Sequence, residues 1–175
     1  MLFALEVLLS ASTAVGVLGV APVLRRLLRR TTIDDVTPEW VESFSVERYR
    51  PMLGLLADED FAFLSRQPGF DPSIYKKLRR ERLAIFEQYL NRLILDFKKL
   101  HATARYFVAR SEEDRSDVAM KLVRLRWAFM VNVLEVQMQL HLCKIGVGTV
   151  QARVIVAQLQ QMSEQLSALS LPQAA

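Results

Sequence analysis

Asp71-Pro72-Ser73-Ile74-Tyr75-Lys76-Lys77 opens a stretch in which no glycine or proline recurs until Gly146. An aspartate before a proline is a helix start: the carboxylate can accept from the free N–H groups of the first turn, and proline at the first helical position has no N–H to leave unpaired. One interior restart signal breaks the span, Ser111-Glu112-Glu113-Asp114, a hydroxyl cap followed by acidic residues that suit the positive end of a helix. The spacing therefore predicts a helix over 72–110, about 58 Å long at 1.5 Å per residue, and a second over 112–144. Gly146 and Gly148 end the second, and Thr149 is a candidate cap for a third over 149–169.

Apolar spacing sets how these helices pack. In the first, Ile74, Leu78, Ile85, Tyr89, Leu93, Phe97, Leu100, Ala104 and Phe107 recur at helical intervals and define the expected buried stripe. The second carries two stripes, Val118, Leu122, Leu125, Phe129, Val133, Val136, Leu140 and Cys143 on one side and Val123, Trp127, Met130, Leu134 and Met138 on another. A helix apolar on two faces requires more than one neighbour. Ile155, Leu159, Met162, Leu166 and Leu169 alternate four and three apart in the third, a narrow seam of the kind that packs in coiled coils. No segment reads as a strand. The expected fold is all-α: an antiparallel three-helix bundle over 72–170, with residues 171–175 fraying.

Upstream, Thr37-Pro38 starts a short helix, Pro51 interrupts the next because Arg50 before it is biased away from helical backbone, and Asp58 can cap another. Trp40, Phe44, Tyr49, Phe61, Phe63 and Phe70 are too much aromatic surface for a disordered linker, so residues 31–71 are expected to form short helices packed against one end of the bundle.

The chain begins with an apolar run from Met1 to Leu24, broken by Glu6 and closed by Arg25, Arg26, Arg29 and Arg30. A run of that length can cross a bilayer, and arginines are retained on the cytoplasmic side. Residues 1–30 thus read as a single-pass anchor with its amino terminus outside and residues 31–175 in the cytoplasm. Two alternatives are a cleaved signal peptide, for which no basic residue precedes the run, and a core helix. A single cysteine, Cys143, excludes an internal disulfide framework and agrees with a reducing compartment.

The net charge of +4 conceals a strong segregation. Residues 31–71 hold nine acidic and three basic side chains, residues 72–110 three acidic and ten basic, and residues 111–175 six of each. Lys76, Lys77, Arg79, Arg80 and Arg82 crowd the first turns of a helix, where they oppose its dipole and require negative charge nearby. Candidate counter-charges are Asp58, Glu59, Asp60 and Asp71, or an anionic membrane surface. Nucleic acid is not expected, because no aromatic or glycine-rich reading surface accompanies the basic run.

Catalytic and metal-binding constellations are missing from the sequence. His141 and Cys143 lie two apart, which on a helix turns them about 200° from each other and rules out shared chelation. Cys143 falls on an apolar stripe as a small core residue, and His101 reads as a solvated or partly buried side chain among Lys98, Lys99 and Arg105. Neither histidine has Glu three positions before it, as a diiron bundle would require. Glu135 reads as exposed, or else as half of a buried ion pair with an arginine of the first long helix. No phosphate loop or nucleophile elbow occurs, so neither a cofactor nor a catalytic residue is assigned.

Arg48-Tyr49-Arg50-Pro51-Met52, Asp60-Phe61-Ala62-Phe63-Leu64 and Gln67-Pro68-Gly69-Phe70, followed by the basic helix start, make residues 1–110 resemble bacterial proteins that pair an N-terminal anchor with a helical domain and have no assigned activity. The resemblance implies the bacterial inner membrane and nothing about chemistry. The expected function is a non-catalytic, membrane-anchored scaffold or adaptor acting by protein interaction, with homo-oligomerisation through 149–169 and an unidentified protein as candidate partnerships. Two rivals are a small-ligand binder or enzyme with a site between the 37–70 helices and helix 72–110, and a bundle that binds anionic lipid through Lys76, Lys77, Arg79, Arg80 and Arg82.

Overall fold

A computed structural model describes residues 36–69, 71–111 and 115–170, and among them every regular element is helical. The elements are α1 (Pro38–Glu42), a 3-10 turn (Val46–Tyr49), α2 (Arg50–Gly54), α3 (Asp58–Ser65), α4 (Pro72–Arg110), α5 (Ser116–Lys144) and α6 (Arg153–Ser170). The apolar run 1–24 and Arg25, Arg26, Arg29 and Arg30 lie outside the described residues. Among those described, no helix is long and apolar enough to cross a membrane.

Asp71 caps α4 as its sequence requires: one carboxylate oxygen accepts from the Ser73 N–H at 2.7 Å and the other from the Ser73 hydroxyl at 2.9 Å. Thr37 likewise caps α1, accepting from the Trp40 N–H at 3.3 Å. Other boundaries differ from expectation. Ser111 ends α4 instead of starting α5, and α5 begins at Ser116. Thr149 caps nothing, since α6 starts at Arg153 after a linker in which Gly146 (φ +92°) and Gly148 (φ +74°) take left-handed backbone that other residues rarely adopt. Asp58 is the first residue of α3, whose cap position is Ala57. Pro51 does not interrupt a helix either. Arg50 keeps helical backbone (φ −56°, ψ −41°), and the proline sits in the first turn of α2, where its missing N–H has no partner to lose.

The three long helices pack antiparallel. Glu87 of α4 pairs with Lys144 of α5 at 2.5 Å, while Phe97 stacks on Phe129 with ring centroids 3.7 Å apart. Sequence numbers rise along one helix as they fall along the other. The α4 seam is Leu83, Phe86, Leu90, Leu93, Phe97, Leu100 and Ala104, a strict three-four alternation, with Ile94 beside it. This corrects the expected stripe at both ends: Ile74, Ile85 and Phe107 are exposed, and Leu78 and Tyr89 only partly buried. Successive four-residue steps from Ile85 through Tyr89 and Leu93 to Phe97 each rotate 40° around the helix, so that series drifts off the core. On α5 the stripe from Leu122 through Leu125, Phe129, Val133, Val136 and Leu140 to Cys143 is buried as expected, with its first member Val118 only half-buried. On α6 Ile155, Leu159, Met162 and Leu166 fill the same core, while Leu169 is half-buried at its edge. The α6 seam is therefore packed within the bundle of one chain.

Residues 37–65 do not sit at one end of the bundle. Lys99 lies over the Trp40 ring at 5.2 Å, Tyr49 reaches Asp96, and Arg82 meets Leu55 and Asp60, so the short helices run antiparallel along the flank of α4. The 3-10 turn touches α6 as well. Tyr49 and Met52, each 1 % exposed, are the residues that wedge this segment into the core.

Candidate functional site

Three places in the fold hold side chains whose chemistry exceeds what packing requires. The first is Asp96, 2 % exposed on an otherwise apolar face of α4. The Tyr49 hydroxyl donates to its Oδ2 at 2.5 Å, and the guanidiniums of Arg48 and Arg92 approach its two oxygens at 3.7 and 3.8 Å. Burial, then the hydrogen bond to Asp96, push the Tyr49 hydroxyl above its ordinary range, so the phenol stays a neutral donor. No buried side-chain polar atom of this group is without a partner, so the network acts as a clasp between the flanking segment and the bundle. The sequence reading passed over Asp96. Its position between Leu93 and Leu100, three and four residues away on one helix face, was the available signal.

The second place is an open cleft of about 690 Å³ between the C-terminal half of α4 and the N-terminal half of α5. His101, Arg105, Val123, Arg126, Trp127 and Met130 are among its walls. His101 is 6 % exposed, a correction to the solvated or partly buried reading, and its Nε2 has no hydrogen-bond partner. Burial first, then the positive charges of Arg126 and Arg105, lower its pKa from 6.5 to about 4. Because the unfolded chain takes up this proton near pH 6.5 and the folded chain only near pH 4, stability should fall as pH drops through that window. A loss of about 2 kcal/mol is expected, allowing for water in the cleft. Urea unfolding at pH 7 and pH 4.5 measures it, and His101→Phe should remove this part of the pH dependence.

The third is the outer face of α5. Met120, Val123, Trp127, Val131, Met138, Leu142 and Ile145 are all exposed, Trp127 at 68 % and Ile145 at 74 %. Leu134 and Met130 are half-buried beside them. The second stripe of the sequence, Val123, Trp127, Met130, Leu134 and Met138, lies within this broader face, and among the described residues no helix covers it. Between Arg126 and Lys144 the only charged residue is Glu135, which is exposed and accepts from Gln139 on the next turn.

The basic cluster at the start of α4 divides. Arg82 pairs with Asp60, one of the expected acidic partners, at 2.8 Å, and Asp71 is engaged as the cap. Arg79 donates to Cys143 Sγ at 3.5 Å; Cys143 is buried, as its stripe position implies. Lys76, Lys77 and Arg80 are exposed, with no ion-pair partner among the described residues. No group of three or more metal-binding side chains occurs among the described residues. Comparison with known protein families, with curated proteins and with solved structures found no match.

Proposed function

We propose that this protein is a non-catalytic helical scaffold, held at a membrane by residues 1–24, whose copies associate through the outer face of α5. The observation that carries this reading is the exposed apolar row Val131, Met138, Leu142 and Ile145 in a region with a single charged residue. Apolar surface poor in charge is the composition of an interface centre, and symmetric contact of one face with its own copy is the commonest route to a dimer. Met138 stands at the middle of the row. A ridges-into-grooves crossing centred there would engage Val131 through Ile145 on both chains. Anchoring supports the same reading, since tethered copies meet at raised effective concentration.

The rival site between residues 37–70 and α4 is less well supported, because Tyr49 and Met52 fill that junction. Exposed Lys76, Lys77 and Arg80 support contact of the scaffold with an anionic surface beside the anchor.

The mass of the full-length protein in neutral-lipid nanodiscs tests the association. Wild type should carry two copies per disc, and Met138→Lys/Leu142→Lys should carry one, with unchanged helical content because both positions are exposed. Equal masses for the two proteins would refute the proposal.

A further inference from the structure

We propose that the α4–α5 cleft binds a small amphiphilic anion, its charged head met by Arg105 and Arg126 and its apolar body lying on Val123, Trp127 and Met130. The site has three independent components. The cavity, about 690 Å³, falls within the size range of small-molecule sites, roughly 300–1,000 Å³, and its walls are mostly apolar. Two guanidiniums, one from each helix, line it without an ion-pair partner among the described residues, and guanidinium is the side chain best shaped to hold a carboxylate or phosphate. The deepest polar group, His101, leaves its Nε2 buried and unpartnered, a deficit that an oxygen of the ligand or a water beside it would satisfy.

The electrostatics agree. The imidazole is stacked on Phe97, with centroids 6.3 Å apart and planes 17° from parallel, and stays neutral partly because both arginines repel its proton. An anion in the cleft relieves the repulsion between the two guanidiniums, and a cation does not. Trp127, 68 % exposed, offers a large flat apolar face to the body of the ligand. The cleft walls lie on the N-terminal side of the contact proposed over Val131 through Ile145, with Trp127 eleven residues and about 16 Å from its centre at Met138.

Trp127 also serves as the reporter, because Trp40 is the only other tryptophan. Full-length Trp40→Phe protein in phosphatidylcholine nanodiscs is titrated with octanoate, octyl phosphate, octanol and octylammonium, using empty discs as the blank. Octanoate or octyl phosphate should shift Trp127 emission saturably. Arg105→Gln/Arg126→Gln should weaken that response at least tenfold, while Arg105→Lys/Arg126→Lys retains most of it. Discs containing phosphatidylserine identify the source of the anion: a response already saturated there supports a lipid headgroup, and one that still needs octanoate supports a free amphiphile. Met138→Lys/Leu142→Lys should leave the titration unchanged, so failure of the association reading would not alter it. An equal response to octanol, an undiminished response in the glutamine variant, or no saturable response to any anion would overturn the proposal.

Discussion

Phe97→Ala is expected to lower the free energy of unfolding by about 4 kcal/mol. Phe97 is 2 % exposed and lies at the midpoint of the α4 seam, with Phe129 of α5 parallel to it at 3.7 Å and 4° and the His101 ring on the same stack. Truncation removes the transfer free energy of a benzyl group and leaves a cavity. Rigid helices on either side cannot close that space. The lost ring contact adds to the effect, at roughly 0.5–1.5 kcal/mol for an aromatic pair. Phe97→Leu should cost about half as much, since leucine fills most of the volume. Urea midpoints report both, and an unchanged slope would show that the substitution altered stability and left the extent of unfolding alone. A loss below about 1 kcal/mol for the alanine variant would mean that the α4–α5 interface does not form as described.

Asp96→Ala should lower stability by about 3 kcal/mol through a different mechanism. Removing the carboxylate leaves the Tyr49 hydroxyl buried without an acceptor, and leaves Arg48 and Arg92 beside an apolar wall. The tyrosine dominates the effect, because Arg48 and Arg92 are 35 % and 64 % exposed at their side chains and solvent screens most of their share. Tyr49→Phe alone should cost about 1.5–2 kcal/mol, the value of a buried hydrogen bond to a charged group. In the Asp96→Ala background the same change should be nearly neutral, because the hydroxyl has already lost its acceptor. A double-mutant cycle measures that coupling, and strict additivity of the two substitutions would contradict a direct Tyr49–Asp96 clasp.

How far these features could be read from the chain depended on whether local or tertiary physics decided them. The Asp71-Pro72 start, the Thr37 cap and the two glycines after α5 are local chemistry, legible because cap geometry needs only neighbours in sequence. The inner stripe of α5 and the α6 seam were legible for a related reason, since each keeps one periodicity along its whole length. Ile74 and Ile85 misled, because apolar residues at four-residue steps can drift around a helix and only a partner helix decides which rotation is buried. Ser111 and Thr149 misled in another way: a hydroxyl followed by helix-forming residues permits a cap and does not require one.

The candidate site was less legible than the fold. Asp96 and Tyr49 are 47 residues apart, and nothing local joins a tyrosine of a short turn to an aspartate in a long helix. His101 was read from its basic sequence neighbours, whereas its burial comes from α5 residues such as Leu122, more than 20 positions away. The second α5 stripe was visible as apolar. That it is uncovered among the described residues could come only from the arrangement of the other helices. Charge segregation by segment was visible too, and Asp60 with Arg82 is a direct link between the acidic segment and the basic helix.

The central claim is that copies of this chain meet through the outer face of α5, and cysteine crosslinking of the full-length protein in membranes tests it most directly. In a Cys143→Ala background, Met138→Cys should self-link rapidly with a short bismaleimide, because a two-fold contact centred there brings the two copies of position 138 together. Gln160→Cys, exposed on α6, should link far more slowly at the same protein density. Equal rates at the two positions, or no dimer through position 138, would contradict the account.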